Sequence, residues 1–335
     1  MADKYEIHKA TFRRGVTQSI AELHITGGCR AVQRSRHHWS WYPALYDGKP
    51  QYLAPQPIEQ IGALATNIEL DLFGGDQQSG LEGPLVSRVW TALDGGYAGG
   101  LQPADLWRTI AGNADRAGDS AYALKARHIS YSLMAAGIRL RDASDHYHEQ
   151  LMAAIQTSTR SGSRFENIPI RDLQLAFHSV LSELASTRDY LAASIASRLG
   201  APNKIDAMNR FKEWLSAASR ADLACGPVAS VMLAAYDPRD SDPWLHHLTE
   251  YRNLYLHRQP LGSTVSPAVL VYETVEYVGL IFPRIIMPLD ASDPFAPGQD
   301  ALTRFLQLYR AMNKLAQLAA SHAPYDTTLP TFVVR

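Results

Sequence analysis

The stretch Glu250-Tyr251-Arg252-Asn253-Leu254-Tyr255-Leu256-His257-Arg258-Gln259-Pro260 sets a fixed cation five residues before a titratable imidazole, where a helix should end. Arginine keeps its proton and can hold a phosphate oxygen through two parallel hydrogen bonds. Histidine changes charge near neutral pH and can take or give a proton. One group binds charge while the other moves protons, which is what phosphodiester cleavage without a metal needs. Arg252 and His257 are therefore the candidate pair.

The helix that must carry them starts at Asp242-Pro243, because aspartate can cap free amides and proline is tolerated in a first turn. At roughly 100° per residue, His246, Glu250, Asn253 and His257 share one narrow polar stripe, and Leu245, Leu248, Tyr255 and Leu256 gather broadly opposite. Arg252 lies off the stripe by about a third of a turn. A joint site then needs the long arginine side chain to swing round, or a second copy of the helix. A symmetric dimer supplies that copy.

Around this helix, residues from Ser120 onward show long proline-free segments with helical apolar spacing. The first runs from about Ala121 to Thr159. The second follows Pro169 and stops at Gly200-Ala201-Pro202, since glycine accepts the left-handed conformation and proline cannot continue the ladder. Shorter helices are expected over Asp206 to Ala218 and Pro227 to Ala235, and a final one from about Gln299 to Ser321. Residues 114–335 read as an all-α bundle. Residues 1–113 read as a loop-rich, mixed region: Glu22-Leu23-His24-Ile25 permits a strand, while Ile58 to Leu72 and Leu85 to Leu93 look like short helices.

With 335 residues, 46% of them apolar, and a net charge of −1, the chain has the composition of a globular protein with no global basic field. Any RNA contact must be a local basic site. Cys29 and Cys225 are too few for a disulfide framework or a thiolate metal site. The start, Ala2-Asp3-Lys4-Tyr5-Glu6, is polar, and the best apolar run, Val278 to Phe282, is cut by Pro283. A cytoplasmic protein with no membrane span is expected.

Arg252-Asn253-x-x-x-His257, late in a helical region that follows two long helices, resembles the R-polar-x-x-x-H signature of HEPN-fold proteins, many of them metal-independent endoribonucleases. Glu250-Tyr251 and Arg258-Gln259-Pro260 also resemble sequences around that signature. The likeness covers roughly Ser120 to Ser321. It implies a mainly α, HEPN-like helical bundle, a homodimer with both motifs lining one cleft, RNA as substrate and no cofactor. His257 would act as general base or acid, Arg252 would stabilise the phosphorane, and Asn253 would orient the pair. His246, Glu250, Tyr255 and Arg258 would contact substrate. It also implies a toxin or anti-phage defence setting, with an antitoxin or other regulatory partner.

Other strings compete. Arg141-Asp142-Ala143-Ser144-Asp145-His146 fits the same pattern, and Arg171 to His178 a looser one. Arg252 and His257 also suit the end of a helix as ordinary cations bonding free carbonyls. A HEPN-like bundle can serve as a non-catalytic binding or dimerisation module. His246, Glu250 and His257 lack the spacing of a zinc hydrolase, so a solvated polar face is the better reading. No Gly-x-Ser-x-Gly elbow marks a serine hydrolase. Gly95-Gly96-Tyr97-Ala98-Gly99-Gly100 lacks a Walker lysine, and Trp39, Trp41 and Tyr42 read as local core.

Overall fold

The computed structural model describes residues 19–79, 87–93, 101–257, 261, 269–289 and 299–328. It is 56% helix and 21% strand, with the strands in two antiparallel sheets. The chain forms two units, each assembled from three separated segments.

The first unit comprises Met1–Tyr97, Leu140–Ala176 and Leu261–Arg304. Among the described residues, all strands lie in it: β1 (Ser19–Ile25), β2 (Arg30–Ser35), β3 (His38–Tyr42), β4 (Ala44–Tyr46), β5 (Lys49–Gln51), β6 (Gln56–Pro57), β7 (Leu72–Ser79), β8 (Ser87–Ala92), β9 (Ser163–Phe165), β10 (Leu270–Tyr277) and β11 (Leu280–Ile286). The order is β6-β3-β2-β1-β7-β8 in one sheet and β5-β4-β11-β10-β9 in the other. Trp41 of β3, fully buried, meets Phe282 of β11 edge-on at 5.7 Å. Helix α1 (Ile58–Asn67) completes the N-terminal part.

These sheets overturn the expectation of a mainly α, HEPN-like bundle: the chain is a mixed α/β protein, and residues after 114 supply three of its strands. The physical reason is visible in Val271-Tyr272-Glu273-Thr274-Val275-Glu276-Tyr277, a run of β-branched and aromatic residues with strand character. It pairs with β11 residue by residue from Val271↔Ile286 to Tyr277↔Leu280. The two-residue turn Val278-Gly279 has positive φ at both positions, 51° and 71°, as a tight hairpin requires. Pro283 breaks the look of a strand in sequence, yet β4 pairs with β11 only at Ile281↔Leu45, so the proline sits where just one neighbour pairs. The expected helix over Leu85 to Leu93 is likewise corrected. Ser87–Ala92 alternates exposed and half-buried residues and pairs along β7.

The second unit comprises Ala98–Arg139, Phe177–Pro260 and Phe305–Arg335, and its described residues are helical or irregular. It holds α2 (Pro103–Arg116), the first part of α3 (Ser120–Gln156), most of α4 (Ile170–Arg198), α5 (Met208–Leu215), α6 (Ala221–Ala224), α7 (Pro227–Tyr236), α8 (Trp244–His257) and most of α9 (Ala301–Ser321). Trp107 of α2 is buried and donates its indole N–H to Ala316 O of α9 at 2.9 Å. Phe177 packs edge-on against Phe305 at 5.0 Å.

Candidate functional site

Helix α8 is held by its apolar side. Leu245, His247, Leu248, Tyr251 and Tyr255 are buried, and Tyr251 meets the Phe305 ring edge-on at 6.1 Å. Thr249 Oγ1 donates to Leu245 O at 2.8 Å and accepts from the buried Arg188 at 2.7 Å. Arg188 in turn is braced by Asp189. Ahead of the helix, the Asp240 carboxylate accepts the Asp242 N–H at 3.1 Å.

The opposite side carries the polar stripe. On it Glu250 and His257 are exposed and His246 and Asn253 are half-buried, while Arg252, off the stripe, is half-buried. The side chains of Glu250, Arg252, Asn253 and His257 have no hydrogen bond or ion pair to any described residue. Arg252 and His257 are separated by five residues, about 7.5 Å along the axis and about 140° around it. Tyr255 belongs to the core: it is 1% exposed, with its ring stacked on Tyr251 at 6.1 Å, so its face does not lie on the stripe. Arg258 lies outside the described residues, as do Gln259 and Pro260.

The competing string is spent on local bonds. Arg141 donates twice to Asp142, at 2.7 and 3.1 Å, and His146 Nδ1 is 3.1 Å from Glu149 Oε2. In the looser string Arg171 is exposed and His178 is half-buried, where burial lowers the imidazole pKa.

Sequence spacing did not reveal a second polar cluster, on the β1-β2-β7-β8 sheet where α3 packs. His24 is fully buried, with Nδ1 3.2 Å from Ser144 Oγ and Nε2 3.8 Å from Asp76 Oδ2. Burial first, and the nearby Arg30 charge second, push its pKa down to about 3. Arg30 donates to Ser144 Oγ at 2.8 Å, to Ser144 O at 2.6 Å and to Asp145 at 3.2 Å. Arg88 bonds both Asp76 and Asp145. Burial would raise the Asp145 carboxyl, but the Arg88 hydrogen bond and the Arg30 charge outweigh it and hold its pKa low.

Asp76, His24 and Ser144 follow the order of a hydrolytic triad, yet Ser144 is fully buried and its oxygen accepts a hydrogen bond from Arg30. No substrate carbonyl can reach it. The cluster pins α3 to the sheet, as does His148, whose Nδ1 lies 2.8 Å from Gly28 O. Gly28 has φ of +88°, and a Cβ there would stand 2.7 Å from Tyr147 O, so only glycine allows this approach. The one signal in the sequence was the two-residue spacing of Glu22 and His24 on a strand.

Among the described residues, no cluster of three or more histidines, cysteines or carboxylates is placed to hold a metal ion. None of their helices is long and apolar enough to cross a membrane. No family model, no curated protein and no solved structure matches this chain.

Proposed function

We propose that the chain cleaves RNA without a metal ion, through Arg252 and His257 of α8. The observation that carries it is the uncommitted state of these side chains. They stand on a well-anchored helix with no partner among the described residues, whereas Arg141 and His146 are tied to neighbouring carboxylates. The proposal rests on side chains and motif, not on a helical-bundle fold.

In the reaction one His257 takes the proton of a ribose 2′-hydroxyl as that oxygen attacks the adjacent phosphorus. Arg252 holds the non-bridging oxygens as charge builds on the pentacoordinate centre. The phosphorus to 5′-oxygen bond then breaks, and a second imidazole gives the leaving oxygen its proton. The products are a 2′,3′-cyclic phosphate and a 5′-hydroxyl. DNA lacks the attacking group and is not cut. Two imidazoles and the angular offset of Arg252 call for a homodimer whose two α8 helices line one cleft. Asn253 orients the pair there, and His246 and Glu250 border the strand.

The two strings separate in one experiment: mixed RNA incubated in excess chelator with wild type, Arg252→Ala, His257→Ala, Arg141→Ala and His146→Ala. Cleavage is lost in the first two variants and kept in the last two. Loss only in the Arg141 or His146 variants would move the site to α3. No cleavage by the wild type would favour a non-catalytic binding or dimerisation module.

A further inference from the structure

A net charge of −1 confines any contact with nucleic acid to a local basic surface, and the β2-β3 hairpin of the first unit is one. From Arg30 to Tyr46 the chain has no aspartate or glutamate, and Arg34-Ser35-Arg36-His37-His38 joins the two strands. Ser35, Arg36, His37 and His38 are exposed. Ser35 Oγ lies 3.2 Å from His38 Nδ1, and Gln33 Nε2 donates to Arg36 O at 3.3 Å, so the tip is braced. The side chains of Arg36 and His37 bond no described residue.

Arg34 is set apart by the strand register. Gln33 pairs with Trp39 and Ser35 with His38, so Arg34 is the extra residue of a bulge, a device that re-aims a side chain. Its guanidinium lies over the Tyr52 ring, 4.2 Å from the centroid. Tyr52 stacks on Tyr42 at 4.4 Å and 25°, and the His148 ring follows Tyr42 at 6.1 Å. Four planar groups thus form a row that ends in a cation. Glu22 of β1 is the one carboxyl whose charge reaches Tyr52, and it is shared with Arg30 and Arg88. Exposed cations suit phosphates, and a flat cation at the end of an aromatic row suits a base. An anionic lipid surface fits less well, because residues 34–38 offer no apolar side chain to insert among acyl chains.

We propose that the β2-β3 hairpin binds single-stranded nucleic acid without reading its sequence, with phosphates on Arg36 and His37 and a base stacked on the outer face of Arg34. The surface belongs to the first unit, and the proposal stands whether or not α8 cuts RNA. It is tested with the full chain over a series of salt concentrations. Fluorescence anisotropy follows a labelled single-stranded DNA of mixed sequence, which the α8 chemistry cannot cut, and its duplex. Co-sedimentation follows phosphatidylserine vesicles.

The single strand binds more tightly than the duplex or the vesicles. Arg36→Ala makes the slope of log K against log salt shallower by about 0.7, the loss of one phosphate contact. Arg34→Ala weakens binding about tenfold or more. Arg34→Lys keeps the charge and loses the flat stack, so it keeps the salt slope and weakens binding about fivefold. Circular dichroism confirms that each variant is folded. Unchanged affinity and slope in folded Arg34→Ala and Arg36→Ala would overturn the proposal. So would a duplex or vesicles bound as tightly as the single strand, or no binding of the single strand at about 50 mM salt.

Discussion

At the scale of single residues, the difference between the two Arg…His strings is one of commitment. Arg141 and His146 have carboxylates one and three residues away and bond them, while Arg252 and His257 bond none among the described residues. Arg252→Lys should lower RNA cleavage by about tenfold or more while leaving the unfolding midpoint unchanged, since an ammonium cannot bridge two phosphate oxygens in parallel. Kinetics paired with urea unfolding check both halves. Helical spacing placed Tyr255 with the leucines opposite the stripe, where it is buried, and only the motif's resemblance placed it on substrate. Sequence could not reveal His24, whose partners come from β7 and α3.

His24, fully buried, and His148, half-buried, give a pH prediction. His24 and His148 stay neutral down to about 3 and about 4, both chiefly through burial, against an ordinary value of 6.5. Below 6.5 the unfolded chain takes up protons that the folded chain refuses. The stability they contribute is therefore complete above that value and is lost as pH falls toward their folded values. The loss is on the order of 2 kcal/mol per histidine between pH 7 and about pH 5. Glu22 and Asp300, raised by burial, act in the opposite sense. His148→Gln isolates the histidine contribution: its urea midpoint should fall less between those two pH values than that of the wild type. An equal fall would refute this role.

At the scale of elements, helices were legible where their stops have a mechanism. Helix α4 ends at Arg198 just before Gly200, whose φ is +77°, and α7 begins at Pro227. Strands were harder to see because their partners lie far away in sequence. β9 and β4 are three residues each, and β4 meets β11 across more than two hundred residues. Proline within β11 further disguised the pattern. The β10-β11 hairpin carries a local cost, since Val278 is β-branched, 79% exposed and held at φ of 51°. Val278→Asn should stabilise the chain by about 1 kcal/mol, because asparagine tolerates the left-handed region. A lower thermal midpoint in that variant would contradict this view of the turn.

At the scale of the whole molecule, the chain is two units built from interleaved segments, one carrying both sheets and the other helical where described. Composition could not disclose this interleaving, because which distant segments share a unit is decided by packing. Arg252 and His257 lie about 140° apart around one helix, so the proposed RNA cleavage calls for two chains. Sedimentation at micromolar concentration should show a dimer, and a monomer that still cuts RNA would exclude the shared cleft.

The most direct measurement is end-group analysis of a synthetic RNA incubated with the protein in excess chelator, beside His257→Ala and the matching DNA. Wild type should yield 2′,3′-cyclic phosphate and 5′-hydroxyl ends, with the variant and the DNA unreacted. Intact RNA with the wild type, 5′-phosphate ends, or undiminished cleavage by His257→Ala would contradict it.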